Sequence, residues 1–344
     1  MLTIRKVTLQ DVADHAAVSK STVSQYLNGR YTYMGENTKK RIQHAIQELK
    51  YQPNAIARSL KQKKTTTIGV ILANILHRFS TQTSRAIEDF CHKHSYHVIL
   101  CNADDDPLKE QSYIEMLKAK QVDGFIIVPT AFNEEMYKHL LDERYPLVFL
   151  DRKMKALPVP TISLKNEKAA LKAVSHLIEN GHKTIAYVSS AVTISPRSER
   201  FTGFETGMKK AGLPINQSFV YTGNLDEAAA FYDHVFAGSR QPDAILTGND
   251  RALMKTLSYL KNRFNNIPDT LSLLTFDDVE FAEFYSPSIT TLEQPAYDMG
   301  TKAAEVLMSQ IKGGENMENT ETTDYCFEGI LKIRESSQKR GGEK

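Results

Sequence analysis

Lys20, Ser21, Thr22, Ser24, Gln25 and Asn28 fall on one side of a short segment whose other side is apolar. One positive charge, hydroxyls and amides, with no apolar bulk, are the groups that meet base edges and phosphates in a DNA major groove. A second polar set recurs after short apolar runs. It comprises Asn74 with His77, Arg78, Phe79 and Ser80, then Asn102 and Asp104, then Asp151 and Arg152. Further on come Ser195 to Gly203, Gly248 to Arg251, Phe276 to Asp278, and Thr290 to Gln294. Carboxylates, amides and guanidinium forks beside aromatic rings suit a polyhydroxylated ligand. Each hydroxyl both donates and accepts, and a ring covers the apolar face of a sugar. Each such Asp or Asn could equally be a cap or a loop residue.

Enzyme signatures are missing: the chain has no G-x-G-x-x-G, G-K-[ST], H-E-x-x-H or G-x-S-x-G. No catalytic residue, cofactor or metal site is therefore expected. His77, His92, His94 and His97 are close in sequence, but His92 and His94 are neighbours at an exposed helix end and read as solvated or capping groups. The cysteines, Cys91, Cys101 and Cys326, are odd in number and widely spaced, which predicts buried free thiols.

The elements that must position the first set are three short helices. The first is expected over about Thr8 to His15, with Asp11 in its first turn at the positive end of the dipole. Ala16 to Val18 makes a turn, and Ser19 is a good N-cap for a second helix over about Lys20 to Leu27. Leu9, Val12, Ala13, Val18, Val23 and Leu27 sit at helical spacing and predict one small core. A third helix is expected over about Glu36 to Leu49. Taken alone, this pattern also fits a solvated amphipathic hairpin. Charge separates the two readings. Residues 1–64 carry 12 Lys+Arg against 4 Asp+Glu, a net +8, and the other 280 carry 31 against 37, a net −6. A basic excess confined to one small module is the footprint of a phosphate binder.

T-L-Q-D-V-A, V-S, T-V-S and L-N, followed by Y-Q-P-N-A-I-A-R-S-L and T-I-G-V-I, resemble the lactose-repressor/galactose-repressor (LacI/GalR) family of bacterial transcription regulators. The resemblance runs over essentially the whole chain. It implies an all-α helix-turn-helix domain (1–53) and a hinge helix and linker (54–66). It further implies an α/β two-lobed, periplasmic-binding-protein-like effector and dimerisation domain with doubly wound parallel sheets (67–335). Residues 336–344 read as a disordered tail. By this resemblance Lys20, Ser21 and Gln25 read bases, and Thr8, Ser19, Thr22, Ser24, Asn28 and Thr38 are expected on the DNA backbone. Asn54, Ala57, Arg58 and Leu60 belong to the hinge, with Leu60 wedging a base step in the minor groove. Asp151, Arg200, Asn249, Asp277 and Gln294 fall where the family's effector contacts lie, and Phe79 is the aromatic candidate beside them. The implied protein is a cytoplasmic homodimeric regulator, most naturally a repressor of carbohydrate-utilisation genes. It would bind a palindromic double-stranded operator and a sugar or sugar-acid effector, with no membrane partner.

Two residues and one loop depart from the family pattern, and a set of arginines bears on the ligand. Ala17 stands where the turn usually has glycine. Gln25 stands where arginine is common, which predicts less dependence on guanine, since glutamine pairs well with adenine. The loop Gly29 to Gly35 is one residue longer than usual and brings Arg30, Tyr31 and Tyr33 beside the reading helix. Arg78, Arg152, Arg197, Arg200 and Arg251 make a guanidinium surplus suited to a carboxylate or phosphate on the ligand. A hexuronate or keto-deoxy-gluconate is one expectation from that surplus.

From Thr67 onward short apolar runs alternate with amphipathic helices. Strands are expected at 68–72, 96–101, 124–129, 146–151, 184–189, 244–248 and 271–276, which argues for parallel sheets with helices on both faces. Lobe crossovers are expected near Asp151 to Ile162 and Asp277 to Gln294, with a ligand cleft between the lobes. No apolar run reaches the roughly 18 residues of a membrane span, and the N-terminus lacks a signal-peptide core. Two rivals from other classes are a sugar-binding transport component and a sugar-modifying enzyme with a DNA-binding appendage. The basic module argues against the first, and turnover of a bound sugar would identify the second.

Overall fold

The computed structural model describes residues 7–32, 34–52, 64–130, 133–154, 156–313 and 324–338. The chain divides into two compact units, residues 1–65 and 66–344.

The first unit holds α1 (Leu9–His15), α2 (Lys20–Leu27) and α3 (Glu36–Glu48). Thr8 and Asp11 form a capping box at the start of α1. The Thr8 hydroxyl accepts from the Asp11 amide, and the Asp11 carboxylate accepts from the Thr8 amide at 2.7 Å. Ser19 caps α2 by accepting from the Thr22 amide at 3.2 Å. Between them Ala17 sits at φ +49°, in the left-handed region. Val12, Ala13, Ala16, Val23, Ile42 and Ala45 make the core, with Leu9, Val18 and Leu27 packed half-buried around it.

The second unit has two lobes, each a six-stranded sheet covered on both faces. In the first lobe β1 (Thr67–Leu72), β2 (His97–Asn102), β3 (Phe125–Ile127), β4 (Leu147–Leu150) and β5 (Thr161–Leu164) join a late strand, β11 (Tyr325–Phe327). Their order is β2-β1-β3-β4-β5-β11, all parallel. The second lobe contains β6 (Ile185–Ser189), β7 (Val220–Thr222), β8 (Ala244–Thr247), β9 (Ser272–Phe276), β10 (Thr290–Glu293) and β12 (Ile330–Lys332). These run β7-β6-β8-β9-β10-β12, and only β12 is antiparallel to its neighbour. Strands buried on both faces read as near-continuous apolar runs, which is why IGVIL and LSLLTF are recognisable in the sequence.

Helices α4 (Arg78–Lys93), α5 (Pro107–Ala119) and α6 (Glu134–Asp142) cover the first sheet. Helices α7 (Asn166–Glu179), α8 (Ser195–Lys210), α9 (Ala228–Ala237) and α10 (Asp250–Phe264) cover the second. The last helix, α11 (Ala296–Gly313), follows a second-lobe strand yet buries Met299, Ala303, Ala304, Leu307 and Ile311 against the first lobe.

The crossovers differ from expectation. The chain leaves the first lobe after β5, between Leu164 and Asn166, because TISL at 161–164 is a first-lobe strand and not a connector. It returns between Glu293 and Ala296, and crosses a third time between Phe327 and Ile330. Two further expectations are corrected. Ser336 and Ser337 are buried, and the Ser336 hydroxyl donates to the Leu273 carbonyl, so residues 336–338 belong to the folded second lobe. Cys91 and Cys101 are buried thiols, but Cys326 is exposed on edge strand β11. No helix among the described residues is long and apolar enough to cross a membrane.

Candidate functional site

Two candidate sites arise, one in each unit. On α2 the side chain of Val23 points into the core, which turns Lys20, Ser21 and Gln25 outward; Ser19 and Asn28 are exposed at its ends, and Thr22 and Ser24 are half-buried. The Ser19 hydroxyl lies 2.7 Å from that of Ser21 and 2.8 Å from that of Thr22, a hydroxyl cluster at the positive end of α2. No acidic residue occupies that first turn, so the helix dipole there remains available to an anion. Asn28 donates its side-chain amide to the Ser24 carbonyl at 2.7 Å, and Thr8 is exposed beside its capping partner Asp11. Thr38 is half-buried in the first turn of α3. Tyr31 packs edge-on against Tyr26, with the Lys39 ammonium 5.1 Å from its ring. The hinge residues Asn54, Ala57, Arg58 and Leu60, and Tyr33, lie outside the described residues.

In the second unit the polar set collects where the carboxyl ends of the two sheets face each other. Asp151 follows β4 at φ +66°, and Asp277 follows β9 at φ +70°. The two strands hold the same place in their sheets. Each aspartate amide donates to the neighbouring strand, Asp151 to the Ile162 carbonyl at 2.7 Å and Asp277 to the Leu292 carbonyl at 3.0 Å. Left-handed backbone outside glycine is uncommon and tolerated best by Asp and Asn. Its repetition at both strand ends means the fold fixes these two carboxylates as a matched pair.

Arg200, 4% exposed on α8, is held from three sides. Its Nε donates to Asn166 Oδ1 at 2.8 Å, its Nη1 to the Gly248 carbonyl at 2.8 Å, and its guanidinium lies 4.4 Å from the Phe276 ring centroid. Gln294 donates to Asp277 Oδ1 at 2.7 Å. Burial, with the Asp250 charge beside it, pushes the Asp277 carboxyl above its ordinary range against the pull of Arg200. A recess lined by Arg78, Phe79, Asp277 and Gln294 joins the two lobes. Asn249 is a partial exception. Its side-chain oxygen caps α10 by accepting from the Ala252 amide at 2.8 Å, so it acts at least as a cap.

Among the buried side-chain polar atoms with no hydrogen-bond partner in the described residues, Asp151 Oδ1, Thr247 Oγ1 and Gln294 Oε1 stand at or just past strand ends. Buried polar atoms are otherwise satisfied in folded proteins, so orphans gathered at strand ends mark a place shaped for a polar guest.

The arginine surplus is smaller than the sequence suggests. Arg152 pairs with Asp105 at 2.7 Å, Arg78 with Glu280 at 2.9 Å, and Arg251 turns to Asp226 on the surface. Asp104 is likewise exposed, paired to Lys109. Arg197 and Arg200 alone of the five form no ion pair among the described residues. Burial lowers the Arg197 pKa, and the neighbouring Arg152 and Arg200 lower it further.

Sequence reasoning missed one feature outright. His77, just before α4 in the first lobe, approaches Asp250 at the start of α10 in the second, Nδ1 to Oδ1 at 2.7 Å. Burial opposes charge on both, yet each stabilises the other's ion. The net effect raises His77 and lowers Asp250. The two are 173 residues apart, and nothing in the chain's local pattern links them.

Comparison with known proteins completes the picture. The family described as bacterial regulatory proteins, lacI family, matches residues 8–54, and a periplasmic binding protein-like domain matches residues 174–337. The chain is 44% identical over 332 residues to the probable HTH-type transcriptional regulator EndR of Paenibacillus polymyxa, spanning 96% of this chain and 98% of that protein. It is 34% identical over 313 residues to the HTH-type transcriptional repressor PurR of Vibrio parahaemolyticus serotype O3:K6, spanning 90% and 93%. Among solved structures it resembles the lac repressor dimer bound to operator and the anti-inducer ONPF. There the TM-score is 0.83 at 21% identity, over 97% of this chain and all of that one, a likeness of fold.

Proposed function

Since the chain belongs to the lacI family of bacterial regulatory proteins, a family of DNA-binding, non-enzymatic transcriptional regulators, we propose that it works as a cytoplasmic homodimeric repressor. It reads a palindromic operator through Lys20, Ser21 and Gln25, with Thr8, Ser19, Thr22, Ser24, Asn28 and Thr38 on phosphates. Asn54, Ala57, Arg58 and Leu60 enter the minor groove at the operator centre. A sugar or sugar acid binds between the lobes and shifts the balance of two states that differ in affinity for DNA, so the coupling is a difference in binding free energy. Its target genes serve carbohydrate use.

The observation that carries this reading is the set of orphaned polar atoms of Asp151, Thr247 and Gln294 at strand ends of both lobes, with the buried Arg200 held against the Gly248 carbonyl that follows Thr247. Hydroxyl groups of one ligand can satisfy all of them, because each can donate to a carboxylate or amide oxygen while accepting from a guanidinium. The unpaired Arg197 and Arg200 favour a ligand that also carries a carboxylate.

Retention of a randomised duplex pool by the purified protein, with and without a panel of sugars and sugar acids, tests it. The expected result is a symmetric site of roughly 14–18 base pairs whose binding one compound shifts. Calorimetry of neutral sugars against their acids then decides the charge. Tighter binding of the neutral sugar rules out the acid, and a duplex pool retained without sequence preference overturns the operator reading.

A further inference from the structure

We propose that the DNA-binding unit carries a transition-metal site made by His15, His44 and Glu48. His15 is the last residue of α1, and its Nε2 lies 2.8 Å from Glu48 Oε2. His44 and Glu48 stand one turn apart on α3, and His44 Nδ1 lies 3.3 Å from the same oxygen. The three donor atoms are all within 4.8 Å of one another, the one such cluster of three or more His, Cys, Asp and Glu donors among the described residues.

Two imidazoles and a carboxylate suit Zn²⁺, Ni²⁺ or Cu²⁺ far better than a hard ion such as Mg²⁺. Donors bound at about 2.0–2.2 Å around a tetrahedral ion stand roughly 3.3 Å from each other. The present separations of 2.8 and 3.3 Å to Glu48 Oε2, with all three donors within 4.8 Å, come into that range by side-chain rotation. Such rotations are open to side chains that are 40%, 74% and 54% exposed. Three protein ligands leave the fourth position to water. The plain alternative is a carboxylate accepting hydrogen bonds from two imidazoles, which is an ordinary surface contact.

The placement gives the ion a role. It would tie the end of α1 to the last turns of α3, across a core of six buried residues. Binding energy that requires both helices in place adds directly to the stability of the unit. Lys20, Ser21 and Gln25 lie on α2 and supply none of the ligands. The two histidines are 29 residues apart, so no spacing rule finds the site.

Equilibrium dialysis of the full chain against micromolar Zn²⁺ with metal analysis tests this, using His15→Gln, His44→Gln, Glu48→Gln and, as a control, the exposed His92→Gln. Wild type and the control should hold one more zinc per chain than the other three. Affinity should fall roughly tenfold or more on loss of any one ligand. Zinc should also slow amide exchange in α1 and α3 of wild type and the control, and not in the three ligand variants. Equal zinc content in wild type and in folded His15→Gln and His44→Gln overturns the site. Should a histidine variant unfold, Glu48→Gln decides, since it keeps the size of the side chain and a hydrogen-bond acceptor for the imidazoles.

Discussion

At the scale of single residues, Ala17 is held at φ +49° by the tight turn between α1 and α2. A Cβ in that region costs about 1 kcal/mol, part of which glycine gives back in unfolded-state entropy. Ala17→Gly should therefore stabilise the DNA-binding unit by roughly 0.5–1 kcal/mol, measured as a rise in protection of α1 and α2 amides from exchange. Gln25 points outward from α2. Selection of binding sites on wild type and Gln25→Arg should show a move from adenine to guanine at one position of each half-site; identical preferences would refute the role given to Gln25. Arg200 is fixed by Asn166, Gly248 and Phe276, so lysine cannot reproduce its forked, stacked placement. Arg200→Lys should weaken ligand binding about tenfold or more, some 1.4 kcal/mol, while affinity for DNA without ligand stays at the wild-type value. Caps were legible at this scale, because Thr8, Asp11 and Ser19 act on their own neighbours. The His77–Asp250 contact was not, because only the folded lobes bring its two halves together.

The helices and strands tell a related story. The three N-terminal helices begin and end within a residue of where capping and apolar spacing put them. Seven of the described strands were also readable as apolar runs, whereas β5, β7, β10, β11 and β12, of three or four residues each, were not. Missing β5 and β10 is what displaced the expected crossovers. Helices α7 and α8 meet closely at Gly203, where an added Cβ would stand 2.3 Å from the Glu167 carbonyl oxygen and 2.7 Å from Ala170 Cβ. Gly203→Ala should force the helices apart and cost about 1–3 kcal/mol, read from a denaturant midpoint. The contact between the starts of α4 and α10 predicts a pH dependence. His77 titrates above its ordinary value, so its ionic contribution is complete below about pH 6.5 and fades as pH rises through the raised pKa. Asp250 titrates below its ordinary value, so its own contribution holds above about pH 4 and is lost only in stronger acid. The stability gap between wild type and His77→Gln should accordingly be larger at pH 6 than at pH 9, and a gap independent of pH would show the contact to be uncharged.

For the whole molecule, the decisive fact is how charge is shared, +8 on residues 1–64 and −6 on the rest. The proposed dimer, if it neutralises six to ten phosphates, should lose about 10³–10⁵ in operator affinity between 50 and 200 mM salt, whereas ligand affinity should change far less. Titration of both at two salt concentrations separates them. The alternation of apolar runs and helices was enough to expect two wound lobes, but it could not say that the last part of the chain returns to the first lobe. That return bears on the order in which the protein is made. The first sheet takes its outer strand from 325–327 and part of its cover from 296–313. A nascent chain that has emerged only as far as β5 exposes Ile68, Val70, Val148 and Ile162 on the face those residues will cover. The first lobe to leave the ribosome is thus left unfinished until the chain is nearly complete. Until then it presents a sticky surface to chaperones, and no single cut between the lobes can release either one whole.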